Sequence, residues 1–461
     1  MTGLAWTAGV WGLMAAVAFA LRNRFPRLRD FFTRENLALM LALLGTFSVS
    51  PGLTEAEEIL REPVVLERVI RGVLAGLAFA IVGPILVDRL RSPRRAGYKT
   101  TAAVVIYLGV ALVSTLYSAA PLVTGAKVFE MAAGLAAVLA LAYGPDAWRR
   151  LKDSVTLVIA SQLALLTVGV VGFFLLSDLF GPFETRPGFL SLRTLSPPYM
   201  HSNAVSSSSA LIATFALARV IKGGLGRKFW VAALVISIIG LVLSSGRQGV
   251  AMALVGVGLV LWVERRRLLA FFIGPAVIVT FLTYREEIID VLSRDRPSNW
   301  ISLTGRLPWW EAAVSAWVHH PWTGWGYATG GRFVALESID SGAVSSIHSG
   351  FLEVLVGVGI LGAIPFMFAL VRIVIWSLRQ MAAKTETAIA VLIVPLILRT
   401  AVSPGFGGWL NMEFVLFALL AALADRSFIE MRDSRRLGGR RPRHFDQDSL
   451  LSSSNIADAS L

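Results

Sequence analysis

Three arginines and one histidine sit where membrane topology does not ask for a cation. Arg193, Arg247 and Arg306 fall in segments otherwise poor in Lys and Arg, and His348 opens an apolar run. A guanidinium presents a planar fork of donors that matches phosphate oxygens, and an imidazole titrating near neutrality can take a proton from a hydroxyl. Arg247 is the sharpest case. It lies in Ser244-Ser-Gly-Arg-Gln-Gly249, a very short turn between two apolar runs. A cation there bears a desolvation cost that a lipid diphosphate would offset, and its small neighbours let a headgroup approach the backbone. The alternatives are plainer: an Arg247 that snorkels to a lipid phosphate, a solvated Arg193, and a structural His348 at a helix boundary.

Other side chains gather around these four. Arg186 and Asn203 flank Arg193 in one segment. Pro308 is placed to begin a helix that Pro321 ends, with Trp309, Trp310, Ala313 and Trp317 at near-helical spacing and Arg306 just ahead of an anion-favouring N-terminus. Such a helix either lies in the membrane interface with its indoles at headgroup depth or packs on the bundle. Arg186, Asn203, Trp309 and Trp310 are the candidate substrate-binding residues; His348, Arg247, Arg193 and Arg306 are the candidate catalytic ones. His319 and His320 close the helix without a role. Lys127 and Glu130 are spaced to pair, and Glu353 reads as structural. There is no cysteine, and Glu286, Glu287, Asp290 and Asp295 are interleaved with Arg285, Arg294 and Arg296, so neither a metal nor a cofactor is expected.

The elements that must position these residues are membrane helices. Of 461 residues, 55% are hydrophobic and 16% charged, and the mean hydropathy is +0.68, outside the usual range of water-soluble chains. Runs such as Val155 to Leu176, Trp230 to Leu243 and Phe351 to Val371 are long enough to cross ~30 Å of hydrocarbon. The fold class is an all-α polytopic membrane protein with about 12–13 transmembrane helices and one large outer loop containing short helices. The net charge of +13 is carried largely by basic clusters between the runs, at 22–34, 89–99, 149–152, 219–228, 265–267, 372–384 and 426–443. The positive-inside rule makes them cytoplasmic, which accounts for the charge without nucleic acid as a partner. The run Leu4 to Leu21 has its basic flank after it, the reverse of a signal peptide, so it reads as a retained span with the N-terminus outside. Two regions follow: a transmembrane region, 1–425, with its large outer loop at 285–347, and a basic, Ser-rich cytoplasmic tail, 426–461, expected to be disordered.

The ordered series Leu303-Thr-Gly-Arg-Leu-Pro-Trp-Trp310, His320-Pro-Trp-Thr-Gly-Trp-Gly326 and Ile347-His-Ser-Gly-Phe-Leu-Glu-Val-Leu355, followed by Gly357, Gly359 and Gly362, resembles the signature of the O-antigen ligase and polysaccharide polymerase superfamily. Ser245-Gly-Arg-Gln-Gly249 resembles its preceding arginine motif, and Arg193 to Ala204 its earlier one. Two departures are visible: Ser349 stands where the family often has Asn, and Tyr199 to Ser202 stretch the first motif. The resemblance implies a glycosyltransferase in the bacterial cytoplasmic membrane that takes glycan from an undecaprenyl-diphosphate carrier on the outer face. The acceptor would be a growing glycan for a polymerase, or a lipid A core for a ligase. Arg193, Arg247 and Arg306 would stabilise the leaving diphosphate without a metal, and His348 would hold or deprotonate the acceptor hydroxyl, which attacks with inversion. A multi-span transporter or flippase for lipid-linked or anionic substrates is the alternative from another class, but paired broken helices or midplane charges would be expected of it.

Overall fold

The computed structural model describes residues 33–44, 66–91, 98–181, 194–197, 200–224, 226–244, 246–265, 306–339 and 346–436. Among them all regular structure is helical. The elements are α1 (Arg34–Leu44), α2 (Leu66–Leu90), α3 (Lys99–Val113), α4 (Pro121–Ala142), α5 (Ala147–Leu175), the single turn α6 (Ser177–Phe180), α7 (Ser202–Lys222), α8 (Arg227–Ser244), α9 (Arg247–Val263), α10 (Arg306–His319), a π-helical turn (Gly331–Leu336), α11 (Gly350–Ala383), the short α12 (Thr387–Ala390), α13 (Ile393–Val402), the turn α14 (Gly405–Gly408) and α15 (Met412–Arg436). Among the described residues seven helices are long and apolar enough to cross a membrane, and Arg247–Val263 and Thr387–Val402 are shorter apolar segments. The protein is thus an all-α multi-pass membrane protein. The expected span at Leu4 to Leu21, the acids at 286–295, and both Arg186 and Arg193 lie outside the described residues.

Burial along α8 shows how the bundle is sorted. Trp230, Ala233, Ser237, Gly240 and Ser244 recur every three or four residues and are buried; Phe229, Val231, Val235, Ile238 and Val242 are exposed. The helix is apolar all round, so hydropathy alone does not choose its inner face. Small residues do, because they let backbones approach closely where lipid is as apolar as any side chain. A Cβ at Gly240 would lie 2.6 Å from the Ser209 hydroxyl of α7. The same logic acts at α9, where a Cβ on Gly249 would come within 2.5 Å of the Ser206 backbone, so α9 seats directly on α7.

The charged residues between the runs gather at one end of the bundle. Arg89 and Arg150 both pair with Glu35, at 2.6 and 3.2 Å. Lys152 pairs with Glu386 at 2.8 Å, and Lys222 donates to the Lys384 and Thr385 carbonyls. Asp425, fully buried, accepts from the amides and hydroxyls of Thr100 and Thr101, with Arg372 at 3.4 Å. Lys127 and Glu130 do pair, at 3.4 Å within α4.

Three details depart from the sequence reading. The helix expected to begin at Pro308 begins at Arg306, and Pro308 fits because first-turn amides have no helical partner. Residues 426–436, assigned to the tail from their charge, continue α15 as helix. Finally, α11 is not one regular helix: Gly359 breaks it with φ 59° and ψ −163°, a conformation open essentially to glycine alone.

Candidate functional site

At the end of the bundle opposite the basic clusters, four helix starts and one helix end supply the candidate residues. His201 caps α7, its Nδ1 accepting the amide of Asn203 at 3.2 Å. Asn203 is half-buried in the first turn, and its carbonyl accepts from the hydroxyls of Ser206 and Ser207. Arg247 is the first residue of α9, after Gly246, whose own Cβ position is filled by Ser206. That contact fixes where the guanidinium begins, and its Nη2 is buried. Gln248 donates to Ser207 at 3.3 Å, tying the same turn to α7. The residues after Arg193 approach this point: Leu195 donates to the Leu243 carbonyl at the end of α8, and Ser196 to that of Phe180.

Arg306, the first residue of α10, donates from Nη1 to the carbonyl of Val402, the last residue of α13, at 2.8 Å. Trp309 stacks on the His348 imidazole with ring centres 5.4 Å apart and planes 29° from parallel. Trp310 turns its indole N–H to the Ile347 carbonyl at 3.0 Å. These two tryptophans, read from sequence as substrate-binding, therefore contact the His348 segment from α10. With Ala313 and Ala316 buried and Trp317 packed on them, α10 lies against the bundle.

His348 itself occupies a left-handed backbone position, φ 52°, unusual for a residue with a side chain of this size. It precedes α11, whose first residue, Gly350, donates its amide to the Ser403 carbonyl. A Cβ on Gly350 would collide with the Pro404 carbonyl. The helix start is thus pressed onto the 403–408 segment that follows α13.

That segment brings in a residue the sequence reading did not single out. Arg399, near the end of α13, is 9% exposed and bonds from Nε to Glu413 Oε1 at 3.3 Å. Its Nη1 is buried with no hydrogen-bond partner among the described residues. A guanidinium half committed to a carboxylate and half uncommitted is a ready donor for an anion. The signal was present in Leu396-Ile-Leu-Arg399-Thr-Ala, a charge within an apolar run.

The electrostatics tie these groups together. Burial pushes the pKa of Arg306 down, and the neighbouring charges of Arg399 and Arg247 push the same way. Since arginine stays protonated, that shift registers the cost of burying the cation and, after it, repulsion from its neighbours. His348 is pushed down to about 4, first by burial and then by Arg306, Arg399 and His201. The imidazole is accordingly neutral at neutral pH and able to accept a proton, close to the positive charges of Arg306 and Arg399. Among the described residues no group of three or more His, Asp or Glu side chains is arranged to hold a metal.

The loop after α10 explains the glycines. The break at Gly359 frees main-chain groups of α11, and residues 321–326 take them. Trp325 and Gly326 donate to the carbonyls of Val356 and Gly357 at 2.8 and 2.9 Å, and Ile360 and Leu361 donate to those of Pro321 and Trp322 at 2.9 and 3.1 Å. A side chain at Gly359 would strike the Trp322 carbonyl. His320 packs on Trp325, ring centres 3.9 Å apart. The broken helix therefore anchors α10 and its loop, which in turn hold Trp309 and Arg306 over His348.

No curated protein matches the chain. Residues 232–367 match the family model described as O-antigen ligase, a segment that runs from α8 through Arg247, Arg306 and His348 to the broken helix. The likeness read from the motifs is thus upheld by an independent comparison, and over that segment the chain is similar to the O-antigen ligase family.

Proposed function

We propose that the protein transfers glycan from an undecaprenyl-diphosphate carrier at the outer face of the bacterial cytoplasmic membrane, as an O-antigen ligase or polysaccharide polymerase, without a metal and with inversion. The observation that carries this reading is Arg306, fixed on the end of α13 and near the charges of Arg399 and Arg247, in the same helix turn as the Trp309 that stacks on a neutral His348. Arg193 joins them in the proposal, from its place just before the anchored 194–197 segment. The acceptor hydroxyl oxygen attacks the anomeric carbon as the bond from that carbon to the diphosphate oxygen breaks. The electron pair leaves with the diphosphate, where fixed guanidinium groups stabilise the developing charge. The hydroxyl proton passes to the free ring nitrogen of His348. Burial first, and repulsion by Arg306 and Arg399 after it, make the imidazole a weak base while the site is empty. Arrival of the diphosphate charge relieves that repulsion and raises its proton affinity when the proton has to move.

The large outer loop, 285–347, would cover the sugar, and Arg186 and Asn203 would line the donor path. A transporter is disfavoured by the broken helix itself. Its freed main-chain groups are taken by residues 321–326 rather than left for a substrate. Incubating the purified protein with a lipid-diphosphate repeat unit, with and without lipid A core, tests the proposal. A ladder on the carrier identifies a polymerase, and product only with the core identifies a ligase. Absence of new glycosidic bonds in both arms contradicts the reading.

A further inference from the structure

We infer that Glu353 and Trp310 are the positioning residues of His348, gripping the main chain of Ile347 on both sides of its Cα. The inference rests on the proposed role of His348. The Ile347 N–H donates to Glu353 Oε1 at 3.0 Å and its carbonyl accepts the Trp310 indole N–H at 3.0 Å. Ile347 is fully buried, packed among Ala313, Ala316, Ala335, Leu336 and Val356. The next residue is His348, in the left-handed region, its amide donating to Ser346 Oγ at 3.3 Å and its ring stacked on Trp309. A non-glycine residue persists in such a conformation only when its surroundings over-determine it. Here they do: the two peptide groups flanking the Ile347 Cα are held, the first at its N–H by α11 and the second, which leads into His348, at its carbonyl by α10, so the direction of the imidazole is set by two separate elements.

Glu353 is an uncommon choice for this task if stability were all that mattered. It is buried, in the first turn of an apolar helix, where a carboxylate is costly and an apolar residue would pack at no such cost. The space for it is provided by Gly331: a Cβ there would lie 2.6 Å from Glu353 Oε2. Carboxylate, glycine and indole together fix the main chain of one residue, immediately before the residue proposed to meet the acceptor hydroxyl.

The test uses Glu353→Leu, Glu353→Gln and Trp310→Phe in the full chain, each alone and combined with His348→Ala. Folded protein is followed by monodisperse elution in detergent, and kcat and KM are measured with an undecaprenyl-diphosphate-linked repeat unit. Loss of alignment of a reacting group costs on the order of 10²-fold, so Glu353→Leu and Trp310→Phe should lower kcat by about that factor while the donor KM stays within about threefold. Glu353→Gln keeps an acceptor oxygen and should recover most of the loss. In the His348→Ala background none of the three should lower the residual rate further, because there is no imidazole left to aim. Equal losses with and without His348, or wild-type kcat in Glu353→Leu and Trp310→Phe, would overturn the inference while leaving the role of His348 standing. Should Glu353→Leu not fold, Gly331→Ala, which crowds Oε2, and Trp310→Phe decide the matter by the same comparison. Wild-type turnover in His348→Ala itself would overturn both this inference and the reading beneath it.

Discussion

Arg399 offers the strongest separation of chemistry from scaffolding, because its two roles reside on different nitrogens. Nε faces Glu413 at 3.3 Å in a pair whose side chains are 10% and 9% exposed, and Nη1 is buried without a hydrogen-bond partner among the described residues. Replacing Arg399 by Met leaves Glu413 as an uncompensated buried acid, which costs about 3–5 kcal/mol for a broken buried pair. Replacing both, Arg399→Met with Glu413→Gln, removes the stranded charge and should restore most of that stability. Turnover should behave differently. Loss of one donor to the leaving group costs about 10²- to 10³-fold in kcat, and the second substitution does nothing to return it. Thermal unfolding in detergent reads the first quantity, and turnover of a lipid-diphosphate-linked glycan reads the second. If the double variant regains activity together with stability, Arg399 serves only the fold and the three-guanidinium arrangement is wrong.

The remaining expectations concern the same cluster. With His348 at about pKa 4 in the empty site, kcat/KM should fall only toward pH 4, and kcat, which reports the loaded site, should fall at a higher pH; coincident limbs would count against relief of repulsion by the donor. Arg306→Gln removes the larger of the two arginine charges acting on His348 and should move the kcat/KM limb upward. The folded pKa lies below the ordinary 6.5, so the unfolded chain takes this proton first. The stability contributed by His348 is complete above about pH 6.5 and is lost as pH falls through 4, which unfolding midpoints across that window will show. Arg247→Lys and Arg306→Lys should recover only part of the turnover lost in the alanine variants, since lysine keeps the charge and loses the planar fork; full recovery would reduce these residues to long-range attraction. Gly249→Ala, whose Cβ would meet the Ser206 backbone at 2.5 Å, should displace α9 and lower turnover without touching a charge; wild-type thermal stability and turnover would show that the α7–α9 contact does not locate Arg247.

The bundle was legible because lipid imposes a simple rule: long apolar runs separated by basic clusters, and the structure brings the basic partners of Glu35, Glu386 and Asp425 to one end. Arg247, Arg306 and His348 were legible because each is a polar exception at a run boundary. Arg399 left a trace as a charge within an apolar run, but its pairing was not legible, since its partner Glu413 lies in α15, beyond the turn α14. The grip on Ile347 could not be read either. It joins α10 to α11 through main-chain groups, and nothing in the spacing of Trp310 and Glu353 reveals that both address the main chain of one residue. The glycine series was visible as a motif, but its cause, a loop pairing into a broken helix, depends on a φ of 59° at Gly359 that no periodicity encodes.

The central claim is that fixed guanidinium groups carry the diphosphate away while an imidazole takes the proton. It is tested most directly by following one reaction in the presence of a chelator: release of undecaprenyl diphosphate by mass spectrometry, and the anomeric configuration of the new bond by NMR. The account predicts one diphosphate released per bond formed, inverted configuration, and a rate indifferent to chelation. Retained configuration, or a rate abolished by chelator and restored by magnesium or manganese, would contradict it.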